Sequence, residues 1–274
     1  MPELPEIETL VRELRPLISG LVFSKIRIFD PLIFKTPARV LERTLPRKKI
    51  QHIFRRGKFL VLSLSGNLKL WLHLGMTGQL LWLKKGAGAL QDQHVHAVLE
   101  FKSDTSRLLR PFGARNDVIA RSPQDDEAIP NSPHLEKNAL VFRDVRKFGK
   151  IFLSNGKAKP ELETIKTLGK DPFELNQQAF TELFRKRSGR IKSLLLNQRL
   201  MAGLGNIYAD ESLFEARLDP RSKPVRLSSR RLGNLFSKLM IFSHSPVHCI
   251  SYGTRPSVFR GLVDFLFAKP RRVN

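Results

Sequence analysis

Apolar positions near the start of the chain recur at intervals of three and four, at Leu4, Ile7, Leu10, Val11 and Leu14, and predict an amphipathic helix with Pro5 in its first turn. The period then shortens. Leu21–Phe29 is rich in β-branched and aromatic residues, while Leu68, Leu70, Leu72 and Leu74 alternate with Lys69, Trp71 and His73, the pattern of a strand with one apolar face. Gly66-Asn67 joins that strand to Lys58–Ser65 as a hairpin. Further runs at Gln79–Leu83, His94–Phe101, Leu140–Arg143 and Lys150–Leu153 predict an antiparallel two-sheet sandwich, and the proline- and acid-containing stretch Arg121–Lys137 reads as a surface loop insertion. After about residue 155 the spacing turns helical, over Gln177–Arg187, Ile191–Asn197, Ile207–Ala216 and Leu227–Ser243, punctuated by Gly203, Gly205 and Pro220. The expected fold is therefore α+β, with a β-sandwich domain over 1–155, a helical domain over 156–245, and a divergent tail or small hairpin over 246–274.

Charge narrows the class of partner. The 274 residues carry 48 Lys+Arg against 25 Asp+Glu, a formal net charge of +23, with 41% hydrophobic residues to fill real cores. Solubility needs only a modest net charge, and an excess of this size repels itself unless a polyanion neutralises it, so nucleic acid is the leading partner and an anionic membrane surface a distant second. The basic residues are spread over both halves, as expected if a polyanion lies between them. Glu3, Glu6 and Glu8 at the start are the opposite of a basic signal-peptide leader, and Leu68–Leu83 is interrupted by Lys69, His73 and Gln79, so the expectation is a soluble, cytoplasmic protein. The single cysteine, Cys249, can form no internal disulfide and no four-thiolate zinc site.

Candidate chemistry begins at Pro2. A small residue after the initiator Met is normally exposed by Met removal, leaving a secondary α-amine whose pKa of about 7.7–8.0 makes an appreciable fraction nucleophilic at neutral pH. Its attack on a sugar aldehyde carbon gives an iminium ion, an electron sink for β-elimination. The bland alternative is a helix-leading proline. Glu3 and Glu6 share a helix face, where backbone N–H groups stabilise carboxylates while burial raises their pKa; the balance suits a proton shuttle, although first-turn glutamates are usually dipole partners only. Lys58 follows Arg55-Arg56-Gly57 into a strand, a basic run that reads as a solvated or phosphate-facing edge.

Met1-Pro2-Glu3-Leu4-Pro5-Glu6-Ile7-Glu8 closely resembles the N-terminus of the formamidopyrimidine-DNA glycosylases, within the wider family that includes endonuclease VIII. Arg56-Gly57-Lys58, His73-Leu74-Gly75-Met76-Thr77-Gly78, Asp144-Val145-Arg146-Lys147-Phe148-Gly149, Leu168-Gly169-Lys170-Asp171-Pro172 and Gly203-Leu204-Gly205-Asn206-Ile207-Tyr208-Ala209-Asp210-Glu211 follow in the family's order, so the resemblance spans roughly residues 1–220. It implies a bifunctional DNA glycosylase and abasic-site lyase of base-excision repair. Pro2 would attack C1′, Glu3 would assist ring opening and proton transfers, Glu6 would be a buried structural carboxylate, and Lys58 would sit at the lesion. Excision requires the nucleotide to leave the stack, and Met76, Arg146 and Phe148 match the residues that fill the gap. His73, Lys192 and Asn206 match further DNA contacts, with backbone N–H groups of the 203–206 turn approaching phosphates.

The resemblance fails at the C-terminus. Family members usually end in a four-cysteine zinc finger, so no zinc or other cofactor is expected here, and His244, His248 and Cys249 are read as ordinary side chains. Tyr252–Phe267 would be a zincless hairpin presenting Arg260 or Arg255 to DNA, or the chain diverges before a finger begins. The implied partner is damaged double-stranded DNA, bound by a monomer. Leu4 favours the formamidopyrimidine branch and hence oxidised purines; a non-catalytic damaged-DNA binder and an oxidised-pyrimidine glycosylase are the competing alternatives.

Overall fold

A computed structural model describes residues 2–84, 92–102, 137–155, 163 and 165–244. The predicted first helix is α1 (Leu4–Ile18), which buries the Ile7, Leu10, Val11, Leu14 and Ile18 stripe. Strands β1 (Val22–Ile28), β2 (Ile50–Arg56), β3 (Phe59–Leu64), β4 (Leu68–His73), β5 (Gly78–Leu83), β6 (Val95–Lys102), β7 (Ala139–Asp144) and β8 (Lys150–Ser154) form two four-stranded sheets, with a short helix α2 (Ala38–Thr44) between β1 and β2. The sheet orders are β1-β6-β7-β5 and β2-β3-β4-β8, and every pairing is antiparallel. Their facing side chains, with the stripe of α1, make one continuous core.

Two elements escape the periodic reading. In β2 the register shifts between Ile50 and His52, so Ile50 and Ile53 both point inward and the two-residue alternation is lost. In α2 only Leu41 is buried, too little to mark a seven-residue helix. The predicted one-faced hairpin also needs correcting. Trp71 lies on the opposite face from Leu70 and Leu72 yet is buried, packed with Val61 and Phe152 beneath Ile165 and Leu168. Ile165 and Leu168 cover this face, so the centre of the second sheet is dry on both sides, and the Trp71 indole N–H is satisfied by Ser154 Oγ at 3.0 Å.

The helical half contains α3 (Gln177–Arg185), α4 (Ile191–Leu196), α5 (Asn206–Glu215) and α6 (Ser229–His244). Asn176 caps α3, accepting the Ala179 N–H at 2.8 Å. A second core gathers Phe180, Phe184, Leu195, Tyr208, Leu213 and Leu235 from these helices. Among the described residues no helix is long and apolar enough to cross a membrane.

The two halves meet at Arg55. Its guanidinium, with only 4% of the side chain exposed, donates to both oxygens of Asp171 at 2.6 and 3.0 Å, to Glu8 at 3.1 Å and to the Gly57 carbonyl at 3.2 Å, and lies 5.4 Å from the Phe173 ring. Arg56 donates to the Leu168 carbonyl at 2.8 Å. The first two residues of the basic run therefore face the joint, not solvent or phosphate, because Glu8 and Asp171 supply counter-charges that the local sequence does not reveal. The Arg121–Lys137 insertion, apart from Lys137, and the 246–274 tail with Cys249 and Arg260 lie outside the described residues.

Candidate active site

The N-terminal residues are held from both halves of the protein. Glu3 N–H donates to Glu6 Oε2 at 2.8 Å, and Leu4 N–H donates across the joint to the Gly203 carbonyl at 2.9 Å, so two of the first-turn donors of α1 find partners. The Glu3 carboxylate, almost fully buried, sits at the N-terminus of α5, where it accepts the N–H groups of Gly205 at 2.7 Å, Ile207 at 3.0 Å and Tyr208 at 3.4 Å. Of these, the Gly205 N–H belongs to the 203–206 turn expected to approach phosphates; a protein carboxylate takes it because a helix N-terminus attracts any anion and Glu3 is tethered beside it. Gly205 is required by close approach, since a Cβ there would overlap the Glu3 carboxyl group. Tyr208 completes the cluster by donating its hydroxyl to Glu6 Oε1. Pro2 is buried beside these groups.

Lys58 belongs to the same cluster. The Gly57 turn before it packs against Leu168, Ala202 and Gly203. Burial pushes the Glu3 carboxyl above the usual carboxylate range, aided by the Glu6 charge and opposed by the Ile207 and Tyr208 N–H groups and by Lys58. Burial also lowers Lys58 below the usual lysine range, against the pull of Glu3 and Glu6. An acid raised and a base lowered in one buried cluster are shifted toward each other, which favours proton transfer there. His73, on the neighbouring strand, is lowered to about 4, by burial first and then by Lys58 and Lys150. It is therefore neutral at pH 7. Its Nδ1 accepts the Gly75 N–H at 3.1 Å, which puts the ring proton on Nε2.

Met76, Arg146 and Phe148 come together on one rim. Met76 is 42% and Phe148 48% exposed, and the Arg146 guanidinium lies 4.7 Å from the Phe148 ring centroid. The other expected contacts are dispersed. Asn206 is exposed at the first turn of α5, whereas Lys192 forms an ion pair with Asp210 at 2.7 Å. Sequence reasoning missed Tyr208 and Gln198 as site builders. Gln198 shapes the glycine turn, accepting the Gly203 N–H at 2.9 Å and donating to the Leu204 carbonyl at 2.8 Å. Neither carries a local signal, because each acts on groups brought close only by the turn or by the joint.

The family model for the formamidopyrimidine-DNA glycosylase N-terminal domain matches residues 1–116, and that for the formamidopyrimidine-DNA glycosylase H2TH domain matches residues 168–245. A formamidopyrimidine-DNA glycosylase from Desulforamulus reducens is 34% identical over 270 residues, covering 96% of this chain and 82% of the relative. The chain belongs to the formamidopyrimidine-DNA glycosylase family. The Thermus thermophilus formamidopyrimidine-DNA glycosylase is likewise 34% identical, over 242 residues, covering 87% of this chain and 73% of the relative. Among solved structures, a complex of wild-type Lactococcus lactis Fpg with DNA containing N7-benzyl-Fapy-dG superposes with a TM-score of 0.70 at 28% identity, covering 94% of this chain and 83% of that one. Another Lactococcus lactis Fpg, in complex with DNA containing an abasic site, gives the same TM-score and identity.

Within this formamidopyrimidine-DNA glycosylase family the zinc finger does not fit this chain. Cys249 is the one thiol among the 274 residues, so they cannot build a four-thiolate cage.

Proposed function

We propose that this protein is a bifunctional DNA glycosylase and abasic-site lyase of base-excision repair, acting on oxidised purines in duplex DNA as a cytoplasmic monomer without a cofactor. Removal of Met1 frees the Pro2 secondary amine. Its lone pair attacks C1′ of the damaged nucleotide, the glycosidic bond breaks, and the base leaves with the bonding pair and takes up a proton. The attacking nitrogen gives up its own proton to the departing base, and Glu3 in its acid form protonates O4′ as the freed nitrogen lone pair opens the C1′–O4′ bond, giving the Pro2 iminium. Loss of a C2′ proton then expels the 3′ phosphate, and a second elimination expels the 5′ phosphate. Lys58 acts at the lesion, and Glu6 holds the Glu3 backbone.

The observation that carries this reading is the clasp on Glu3. A buried carboxyl with a raised pKa, next to the N-terminal amine and a lysine with a lowered pKa, is costly to desolvate and places an acid and a base beside the nucleophile. DNA would lie against both halves, divided near residue 155, with Met76, Arg146 and Phe148 entering the stack and His73, Lys192, Asn206 and, in the tail, Arg260 on phosphates. The Lactococcus lactis relative, bound to formamidopyrimidine-type and abasic-site DNA, favours the same substrate class.

The test is borohydride reduction on an abasic-site duplex. A covalent adduct is expected with the processed protein and none with a form that retains Met1; no adduct with either would refute the lyase chemistry. Release of 8-oxoguanine should exceed that of thymine glycol, and the reverse preference would overturn the substrate assignment.

A further inference from the structure

The loops bearing Met76 and Arg146–Phe148 are 70 residues apart in the chain, yet a single buried side chain ties them together. Asp144 is fully buried at the end of β7. Its Oδ1 accepts the Thr77 hydroxyl and the Arg146 N–H, the latter at 3.2 Å, and its Oδ2 accepts the Gly149 N–H at 2.7 Å. Thr77 Oγ1 in turn accepts the Arg146 N–H at 3.1 Å, so the hydroxyl both donates and accepts within one triangle. The Asp144 carbonyl is held from behind by His96 Nε2 at 2.6 Å.

Backbone conformation reinforces this closure. Gly75 adopts φ +62, and a Cβ on it would come within 2.6 Å of the Phe148 carbonyl carbon, so the two loops touch through their main chains. Lys147 sits at φ 55 between Arg146 and Phe148, anchored by an ion pair with Asp30 at 2.8 Å. A non-glycine residue in the left-handed region costs free energy, and here it persists between fixed neighbours. The result is an exposed trio of Met76, Arg146 and Phe148 on a base that is buried, charged and hydrogen-bonded.

We propose that Asp144 and Thr77 are positioning residues that lock these two loops into a single preformed wedge, so that insertion into the duplex carries no cost of ordering two separate loops. This rests on the DNA-repair reading above. The threonine hydroxyl donates to the carboxylate and shares with it the Arg146 N–H, so it braces both loops at once; valine supplies the shape and neither function.

Two substrates separate the possibilities. On single-stranded abasic DNA there is no stack to enter, whereas on a duplex with 2-aminopurine opposite the abasic site, insertion is read directly as a fluorescence change. For Thr77→Val, duplex trapping and the 2-aminopurine response should fall about tenfold, single-strand trapping should stay within about twofold of wild type, and Thr77→Ser should restore the duplex signals. Wild-type duplex behaviour in Thr77→Val would overturn the proposal, as would an equal loss on both substrates. If Thr77→Val fails to fold by circular dichroism, Thr77→Ala is judged by the same criteria. If wild type traps neither substrate, the lyase reading fails while the 2-aminopurine response still tests the wedge.

Discussion

Replacing Arg55 by methionine keeps an unbranched apolar stem and removes the guanidinium and its charge from a joint where the side chain is 4% exposed. The change deletes two bonds to Asp171, at 2.6 and 3.0 Å, one to Glu8 at 3.1 Å and one to the Gly57 carbonyl at 3.2 Å, and leaves a buried carboxylate without its partner. Breaking a buried pair from one side typically costs about 3–5 kcal/mol, a large share of the roughly 5–15 kcal/mol that holds a protein folded. The exposed Arg12–Glu8 pair, one helical turn apart with Arg12 56% exposed, provides the contrast at about 0.3–0.5 kcal/mol. Urea unfolding followed by the fluorescence of Trp71 and Trp82 and by far-ultraviolet circular dichroism should show the Arg55→Met midpoint lowered by at least about 1 M, at slopes of about 1–3 kcal/mol/M. Adding Asp171→Asn, which keeps the oxygen that accepts the Phe173 N–H at 3.1 Å, should recover part of the loss. An Arg55→Met protein within about 1 kcal/mol of wild type, or two replacements whose effects simply add, would refute a charged joint between the halves.

Gly205→Ala places a methyl group in the Glu3 carboxyl, so abasic-site cleavage should fall by about a hundredfold or more with helix content retained; near-normal cleavage would remove Glu3 from the chemistry. His73 is held near 4 in the folded protein against about 6.5 when unfolded, so its stabilising effect is complete above pH 6.5 and is lost as pH falls from there through 4. That amounts to about 3 kcal/mol, and His73→Gln should flatten the stability profile between pH 7 and 4; identical profiles would contradict a buried neutral imidazole. Asp210→Asn frees Lys192 and should raise duplex affinity by up to about fivefold in a salt-titrated binding assay, while unchanged affinity would take Lys192 off the phosphate.

Much of the fold was legible because its signals are local. The stripe of α1, the alternation along β4 and the spacing of the four later helices are each set by which residues must be buried within one element, and the observed boundaries differ from the predicted ones by a few residues. Local patterning misled where burial came from elsewhere. Trp71 sits at a polar-phase position and is dry because Ile165 and Leu168 cover it, and Arg55 looks like a surface cation until Asp171, 116 residues away, is brought against it.

The site divides in the same way. It was the resemblance carried by the ordered motif blocks that nominated Pro2, Glu3, Lys58 and the Met76, Arg146 and Phe148 trio; read alone, Pro2 is a helix-leading proline and the first-turn glutamates are dipole partners. What the linear chain could not determine is which partner each group meets. The N–H groups at the head of α5 suit any anion, and only the packing of the two halves decides that Glu3 occupies them, with Tyr208 on Glu6 and Lys58 close enough to act on the Glu3 carboxyl. Burial and proximity across 200 residues are properties of the tertiary structure, and they convert an ordinary first-turn glutamate into an acid with a raised pKa.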